Sequence, residues 1–319
     1  MHTNGSRPAI AATGLRKSYG DKVVLDGVDL SVARGTVFSL LGANGAGKTT
    51  TVKILSTLIN ADSGEARVAG FDVARQPDGV RASIGVTGQF SAVDSLLSGE
   101  ENLLLMADLH HLGKTARRAR TGQLLEQFDL VEAAKKPAST YSGGMRRRLD
   151  LAMTLVGSPQ VIFLDEPTTG LDPRSRRAMW QIVRELVAGG VTIFLTTQYL
   201  DEADELADRI AVLEQGRLVA EGTADELKRQ IPGGHVQLKF GEEAELLQAS
   251  RGLREASREN DALVLRVPSD GSLQSLKSLI DRLDELSVQV DELSVHTPDL
   301  DDVFLALTGT STDEKAATR

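Results

Sequence analysis

Apolar residues along this chain come in two rhythms. Short continuous runs at Val37 to Leu41, Ser83 to Val86, Val161 to Leu164, Val191 to Thr196 and Ile210 to Leu213 have the length and β-branched content of buried strands. Helical spacing takes over between Ser98 and Phe128, where Leu103, Leu104, Met106, Ala107 and Leu109 are followed by Leu124, Leu125 and Phe128. From about Ala9 to Leu227 the alternation predicts a mainly parallel α/β sheet carrying a helical insert. The turn Ile231-Pro232-Gly233-Gly234 breaks the pattern and marks a domain boundary. Beyond it the pattern predicts strands at His235 to Phe240, Ala262 to Val267 and Val288 to Val295. Helices are expected at Glu242 to Ser250 and Gly271 to Leu286. That β-α-(β)-β-α-β order predicts a small α+β sandwich of the ferredoxin-like kind. The expected division is a polar tail at 1–8, an α/β domain at 9–230, an accessory α+β domain at 235–309 and a disordered polar tail at 310–319.

The bulk properties narrow the class. A chain of 319 residues has material for about two domains, and 41% apolar with 25% charged residues is ordinary globular composition. A net charge of −9 argues against nucleic acid as a partner, which favours a basic face. With no cysteine, disulfides and thiolate metal sites are excluded, in keeping with a reducing cytoplasm. The first eight residues lack the apolar core of a signal peptide, and no window approaches the ~20 apolar residues of a membrane span. Any service to a membrane is expected to run through a partner.

Chemistry enters at Gly42-Ala43-Asn44-Gly45-Ala46-Gly47-Lys48-Thr49, which fits G-x-x-x-x-G-K-[ST] between a strand ending at Leu41 and a helical stretch Thr50 to Leu58. Glycines allow close backbone approach, so the amides of Gly42, Asn44, Gly45, Ala46, Gly47 and Thr50 can ring phosphates. Lys48 supplies a point charge and the Thr49 hydroxyl a ligand for Mg²⁺. The run Val161 to Leu164 ends in Asp165-Glu166-Pro167. Asp165 at a strand tip reaches the ion beside the phosphates, and Glu166, ionised at neutral pH, suits a general base for water.

A second cradle stands just upstream of that strand. Tyr141-Ser142-Gly143-Gly144-Met145 opens the helical Met145 to Val156 with a hydroxyl, bare amides and a helix N-terminus. One nucleotide does not need two cradles from one lobe. Together the motifs resemble the ATP-binding cassette (ABC) family over residues from about 9 to 227. The resemblance implies a P-loop NTPase fold with a parallel-sheet core, an antiparallel β subdomain and a helical signature subdomain. It also implies ATP and Mg²⁺ as cofactors and a homodimer in which Ser142, Gly143 and Gly144 close over the ATP held by the other copy. Tyr141 and Met145 depart from the commonest Leu and Gln, while the Ser-Gly-Gly core is intact.

On the same resemblance Tyr19 corresponds to the aromatic that stacks on adenine. Gln89 corresponds to the glutamine that touches Mg²⁺ and the attacking water, and Asp172 in Thr169-Gly170-Leu171-Asp172 to the acidic residue through which the two subunits sense each other. Where a histidine usually meets the γ-phosphate this chain has Gln198, in Thr196-Thr197-Gln198-Tyr199-Leu200-Asp201-Glu202-Ala203-Asp204. An amide can still donate and accept but cannot become a cation, so position 198 is expected to add no protonation step near pH 6–7. That run, with Val86-Thr87-Gly88-Gln89-Phe90, Tyr141 to Asp150 and the C-terminal Leu300 to Gly309, is similar to daunorubicin-resistance drug-exporter ATPases. The likeness implies an ATPase, peripheral to the cytoplasmic side of a bacterial, actinobacterial membrane. It would power efflux of a drug, antibiotic or lipid-like compound through a separately encoded permease.

Other features read blandly. Arg146-Arg147-Arg148 follows the signature loop on a helix and is expected to be a solvated or ion-paired face. His110-His111 point apart on a helix with no third ligand evident. Phe90, Val93, Leu96 and Leu97 fit either buried core or the floor of a groove for the permease. A soluble ABC-type ATPase acting on ribosomes or DNA is disfavoured by the single cassette, the short Lys48 to Ser142 interval and the acidic charge. A nucleotide-gated interaction module with negligible turnover is the remaining alternative.

Overall fold

Near the start of the chain, β1 (Ile10–Tyr19) and β2 (Lys22–Val32) pair antiparallel across Gly20 and Asp21. β2 was not among the strands anticipated from patterning. Register shifts between Ala12 and Leu15 and between Lys17 and Ser18 interrupt the period of two that would have announced it. The computed structural model describes residues 7–88, 92–230, 234–253, 256–258, 263–269, 272–296 and 298–307. Gln89, Phe90, most of the turn at 231–234 and the tail at 310–319 lie outside the described residues, as do the first six residues of the tail at 1–8.

After β2 come β3 (Val37–Leu41), α1 (Lys48–Leu55), β4 (Ser63–Val68), β5 (Phe71–Asp72), α2 (Pro77–Ser83) and β6 (Ile84–Thr87). The helical insert comprises α3 (Gly99–Leu109) and α4 (Lys114–Gln127), followed by α5 (Gly143–Thr154). The chain continues through β7 (Val161–Asp165), α6 (Pro173–Ala188), β8 (Thr192–Thr197), α7 (Leu200–Leu206), β9 (Arg209–Glu214), β10 (Arg217–Gly222) and α8 (Ala224–Arg229). α3 starts on a capping box, with Ser98 and Glu101 satisfying each other's backbone amides. α1 ends earlier than the pattern suggests, capped at Ser56 and followed by Thr57 at φ 65°.

Two sheets result. One is antiparallel, in the order β2-β1-β4-β5; the other runs β10-β9-β3-β8-β7-β6, parallel except for β10. The parallel strands are mostly apolar because both faces are covered. Phe38, Leu40, Phe163 and Phe194 face a core shared with β1, β2 and α1. Alternate residues Val37, Ile162, Leu164, Ile193 and Leu195 face a second core with α3 to α6. The Phe38 and Phe163 rings both lie 5.6 Å from that of Phe194, tying three neighbouring strands.

Chain contacts divide into two compact units between Ala224 and Asp225. The second contains β11 (His235–Lys239), α9 (Glu243–Gly252), β12 (Ser257–Arg258), β13 (Val264–Pro268), α10 (Leu273–Glu285) and β14 (Glu292–His296). Its sheet is antiparallel in the order β12-β13-β11-β14, the βαββαβ arrangement. Leu246, Ala249, Leu279 and Leu283 from its helices pack with Val236, Leu238 and Leu265 into a separate core. Among the described residues no helix is long and apolar enough to cross a membrane.

Candidate functional site

The sheet order places the C-terminal end of β8 between those of β3 and β7, so three loops meet at one edge. Gly42 N donates to Thr197 O (3.2 Å), joining the phosphate loop to the residue before Gln198. Thr196 Oγ1 donates to Asp165 Oδ1 (2.5 Å), while Glu166 N approaches both Thr196 O and Thr196 Oγ1 at 3.1 Å. Thr196 thus holds the Asp165 carboxylate and the Glu166 backbone. Asp165 is buried, and Glu166 sits at φ 49°, an unusual conformation that turns its side chain away from the strand direction.

Two glycines are sterically required. A Cβ on Gly42 would lie 2.4 Å from Leu213 O. Gly47, at φ 115°, would place one 2.7 Å from Leu25 Cδ2 and 2.9 Å from Val24 O. Gly47 starts α1 without a side-chain cap, leaving the amides of Lys48, Thr49 and Thr50 as the helix's unpaired donors. A cavity of about 250 Å³ opens on them, lined by Lys22, Val24, Asn44, Gly45, Gly47, Lys48, Thr49, Thr50 and Glu166.

Lys48 Nζ donates to Gly42 O (2.8 Å) and Ala43 O (3.2 Å) and pairs with Glu166 Oε1 at 3.1 Å. Both side chains are more than nine-tenths buried. A buried cation, a row of unpaired amides and a helix N-terminus around one cavity suit a polyphosphate. Glu166 provides the countercharge in its place. Ala46 is buried, its carbonyl accepting from Gly216 N (3.0 Å).

The second cradle is built differently. Ser142 caps α5, its hydroxyl accepting from Met145 N at 3.2 Å. A Cβ on Gly144 would come within 2.5 Å of Ser175 Oγ, whereas one on Gly143 would meet nothing within 4 Å. Neither glycine lines the cavity at Lys48. Tyr141 is core: its hydroxyl donates to Ala133 O (2.7 Å) and packs against Gly99, which explains an aromatic in place of the commoner Leu. Asp172 caps α6, accepting from Arg174 N and Ser175 N at 3.0 Å and from Ser175 Oγ at 2.6 Å. The Ser175 hydroxyl, seconded by the Ser175 amide, holds the Asp172 carboxyl below the usual range.

Tyr19 closes β1 half-exposed, with Lys17 Nζ 5.7 Å from its ring centre; it is not part of the cavity wall. Lys22, Val24 and Thr196 went unnoticed in the sequence, because only the β1–β2 pairing and the strand order bring them to the site. Val93 is buried and Leu96 is exposed, so the apolar run after Gly88 divides between core and surface. The His110 ring lies against Gly157.

Of the two expectations for the arginine run, the ion-paired one holds: Arg147 pairs with Asp150 and Arg148 with Asp129. Arg146 donates to Ala138 O, and Arg148 to Phe128 O and the Asp129 carboxylate. Arg147 is mostly buried, and burial lowers its guanidinium from the ordinary value while Asp150 pulls the other way. Burial likewise pushes up the Asp150 carboxyl and that of the fully buried Glu202, which accepts from Trp180 Nε1 (3.2 Å).

Comparison with known proteins agrees with this geometry. Residues 25–169 match the family described as "ABC transporter", and residues 222–308 the one described as "ATP-binding protein DrrA1-3-like, C-terminal domain". The chain is 50% identical over 303 residues to "Daunorubicin resistance ATP-binding protein DrrA3" of Streptomyces coeruleorubidus, covering 94% of this chain and 96% of that one. It is 46% identical to "Doxorubicin resistance ATP-binding protein DrrA" of Mycobacterium tuberculosis (96% and 95% covered). Identity is 38% to "Nod factor export ATP-binding protein I" of Ralstonia nicotianae (96% and 95%). A solved "ATP binding subunit of ABC transporter" superposes with a TM-score of 0.63 at 30% identity, covering 70% of this chain and 92% of that one. The chain therefore belongs to the ABC transporter family, as an ATP-binding and ATP-hydrolysing exporter subunit whose cassette is followed by a DrrA1-3-like C-terminal domain.

Proposed function

We propose that two copies of this chain close head to tail over two ATP molecules and so drive efflux through a separately encoded permease. The exported compound would be a hydrophobic drug, antibiotic or lipid-like molecule. In each site Asn44 to Thr50 hold the phosphates of one ATP, Tyr19 stacks on its adenine, and Ser142, Gly143 and Gly144 of the other copy complete the cradle. Thr49 and Asp165, with Gln89, are the residues that would hold Mg²⁺. When bound, the ion neutralises phosphate charge and aligns the γ-phosphoryl group.

The observation that carries this reading is the Lys48–Glu166 ion pair inside the cavity. An incoming γ-phosphate competes for Lys48 and frees the Glu166 carboxylate. Glu166 then accepts a proton from water as the water oxygen bonds to the γ-phosphorus and the bond to the bridging oxygen breaks, releasing ADP and phosphate. Gln198, next to Thr197 at the rim, donates to the γ-phosphate, and Asp172 lies where the copies meet. Leu96 and its neighbours face the permease, which holds the chain on the cytoplasmic side of the membrane.

Glu166→Gln keeps the shape but removes the charge. Phosphate release should fall by about 10²–10⁴-fold, ATP binding should persist, and an ATP-dependent dimer should accumulate on a sizing column. Near-normal turnover in that variant removes Glu166 from the role of base. Absence of phosphate release from the unaltered chain would favour the nucleotide-gated module instead.

A further inference from the structure

Behind the site, Arg147 and Asp150 make a buried ion pair one turn apart on α5, Nη1 to Oδ2 at 3.2 Å. The two side chains are 11% and 3% exposed. Each makes a second set of bonds to backbone. Arg147 Nε donates to Pro167 O (2.7 Å), the residue after Glu166, and Nη1 also donates to Gly88 O (2.9 Å). Asp150 Oδ1 accepts from Ala92 N (3.0 Å). One pair therefore joins three pieces of chain: α5, the turn carrying Glu166, and the backbone at Gly88 and Ala92.

We propose that Arg147 and Asp150 are positioning residues that lock the Glu166 turn to the signature helix of the same chain. This rests on the proposed dimer. There the N-terminus of α5 serves the other copy's ATP, while Glu166 serves this copy's own. Ser142 and Arg147 are five residues apart, about 7.5 Å along the helix axis. A displacement of the signature loop on meeting the other copy's nucleotide is thus delivered to Pro167 through a rigid helix and a forked guanidinium. Lysine has the charge but no fork, so it cannot hold Pro167 O, Gly88 O and Asp150 together. Glu166 also needs an external hold, since its backbone sits at φ 49°. The ion pair, rather than lone hydrogen bonds, matters because it keeps both partners aimed at backbone in a buried setting.

The test uses the full chain with two variants, Arg147→Lys and the apolar pair Arg147→Met/Asp150→Leu, which leaves no buried charge alone. Thermal stability and equilibrium ATP binding establish that each is folded and competent. Relative to the unaltered chain, kcat should fall at least tenfold in both variants with the ATP dissociation constant within threefold. The Hill coefficient for ATP should drop toward 1. Amide exchange of nucleotide-free protein should accelerate at least tenfold at residues 165–169 while α5 stays protected. A folded double variant with kcat within twofold of normal, or with unchanged exchange at 165–169, overturns the proposal. The exchange readout does not depend on turnover. Failure of the ATPase reading, seen as no phosphate release from the unaltered chain, is therefore distinct from failure of the lock.

Discussion

The two glycine-rich helix starts, at α1 and at α5, look alike in sequence and are built differently. At α1 two glycines are forced by neighbours, the helix has no side-chain cap, and a buried lysine pairs with a carboxylate at the cavity wall. At α5 a serine caps the helix, Gly143 is open, and the nearest cation in sequence, Arg146, donates back to Ala138 O. Under the proposed function the first is a complete phosphate seat and the second half of one. A helix N-terminus attracts anions only weakly by itself, so the α5 end gains its value when another group supplies the charge.

The largest expected effect breaks the α1 side. Lys48→Ala removes the cation and leaves Glu166 buried without its partner, so phosphate release should drop by about 10²–10³-fold. Ser142→Arg should also stop turnover while sparing nucleotide binding at its own α1 seat. Mixing the two inactive variants separates seat from half-seat. In a head-to-tail pair, Ser142→Arg supplies an intact α1 seat and Lys48→Ala an intact α5 start, rebuilding one good site per mixed dimer. Equal mixing should restore about a quarter of normal turnover, since half the dimers are mixed and half their sites work. No recovery above the sum of the separate variants would mean that each chain's two helix starts serve its own nucleotide.

How much of this was legible in the sequence depended on range. The five buried parallel strands announced themselves because both faces are covered, and each lies within a residue or so of its expected position. The antiparallel β2 did not, since bulges in its pairing with β1, at Ala12 to Leu15 and Lys17 to Ser18, break the alternation. The phosphate loop was legible because its amides and lysine are consecutive. Thr196 was not, because its role exists only through the Asp165–Thr196 register. The backbone partners of Arg147 were not legible for a related reason. Three arginines on a helix suggest a solvated or ion-paired face, and nothing local says that Pro167 and Gly88 come to meet the middle one.

A smaller effect concerns a buried carboxyl on α7. Glu202 is fully buried, and burial raises its carboxyl above the model-compound value of 4.5. The folded protein then holds a proton that the unfolded chain has lost, so stability falls as pH rises from about 4.5 through the raised value. Glu202→Gln keeps an acceptor for Trp180 and removes that loss. Its melting temperature should exceed that of the parent by about 2–4 °C at pH 8, for each kcal/mol recovered. The difference should vanish near pH 4. A variant that melts lower at pH 8 would show that the ionised carboxylate is needed there.

The smallest effect asks whether the α5 glycines are only a flexible cap. Neither has a positive φ, so alanine fits the backbone at both positions. Gly143→Ala adds a methyl into open space and should leave stability unchanged or raise it by up to ~1 kcal/mol, as Gly to Ala does in helices. Gly144→Ala drives a methyl to 3.0 Å from Ser175 Cβ and against its hydroxyl, disturbing the Asp172 cap, and should lower stability slightly. Ser175→Gly in the same chain should relieve that clash. A cap alone would let turnover follow stability in both variants. A surface that must close on another copy's phosphate would lose turnover in Gly143→Ala even as the fold gains. That opposite movement, read from melting curves and phosphate release on one preparation, assigns the open face of Gly143 to the partner's nucleotide.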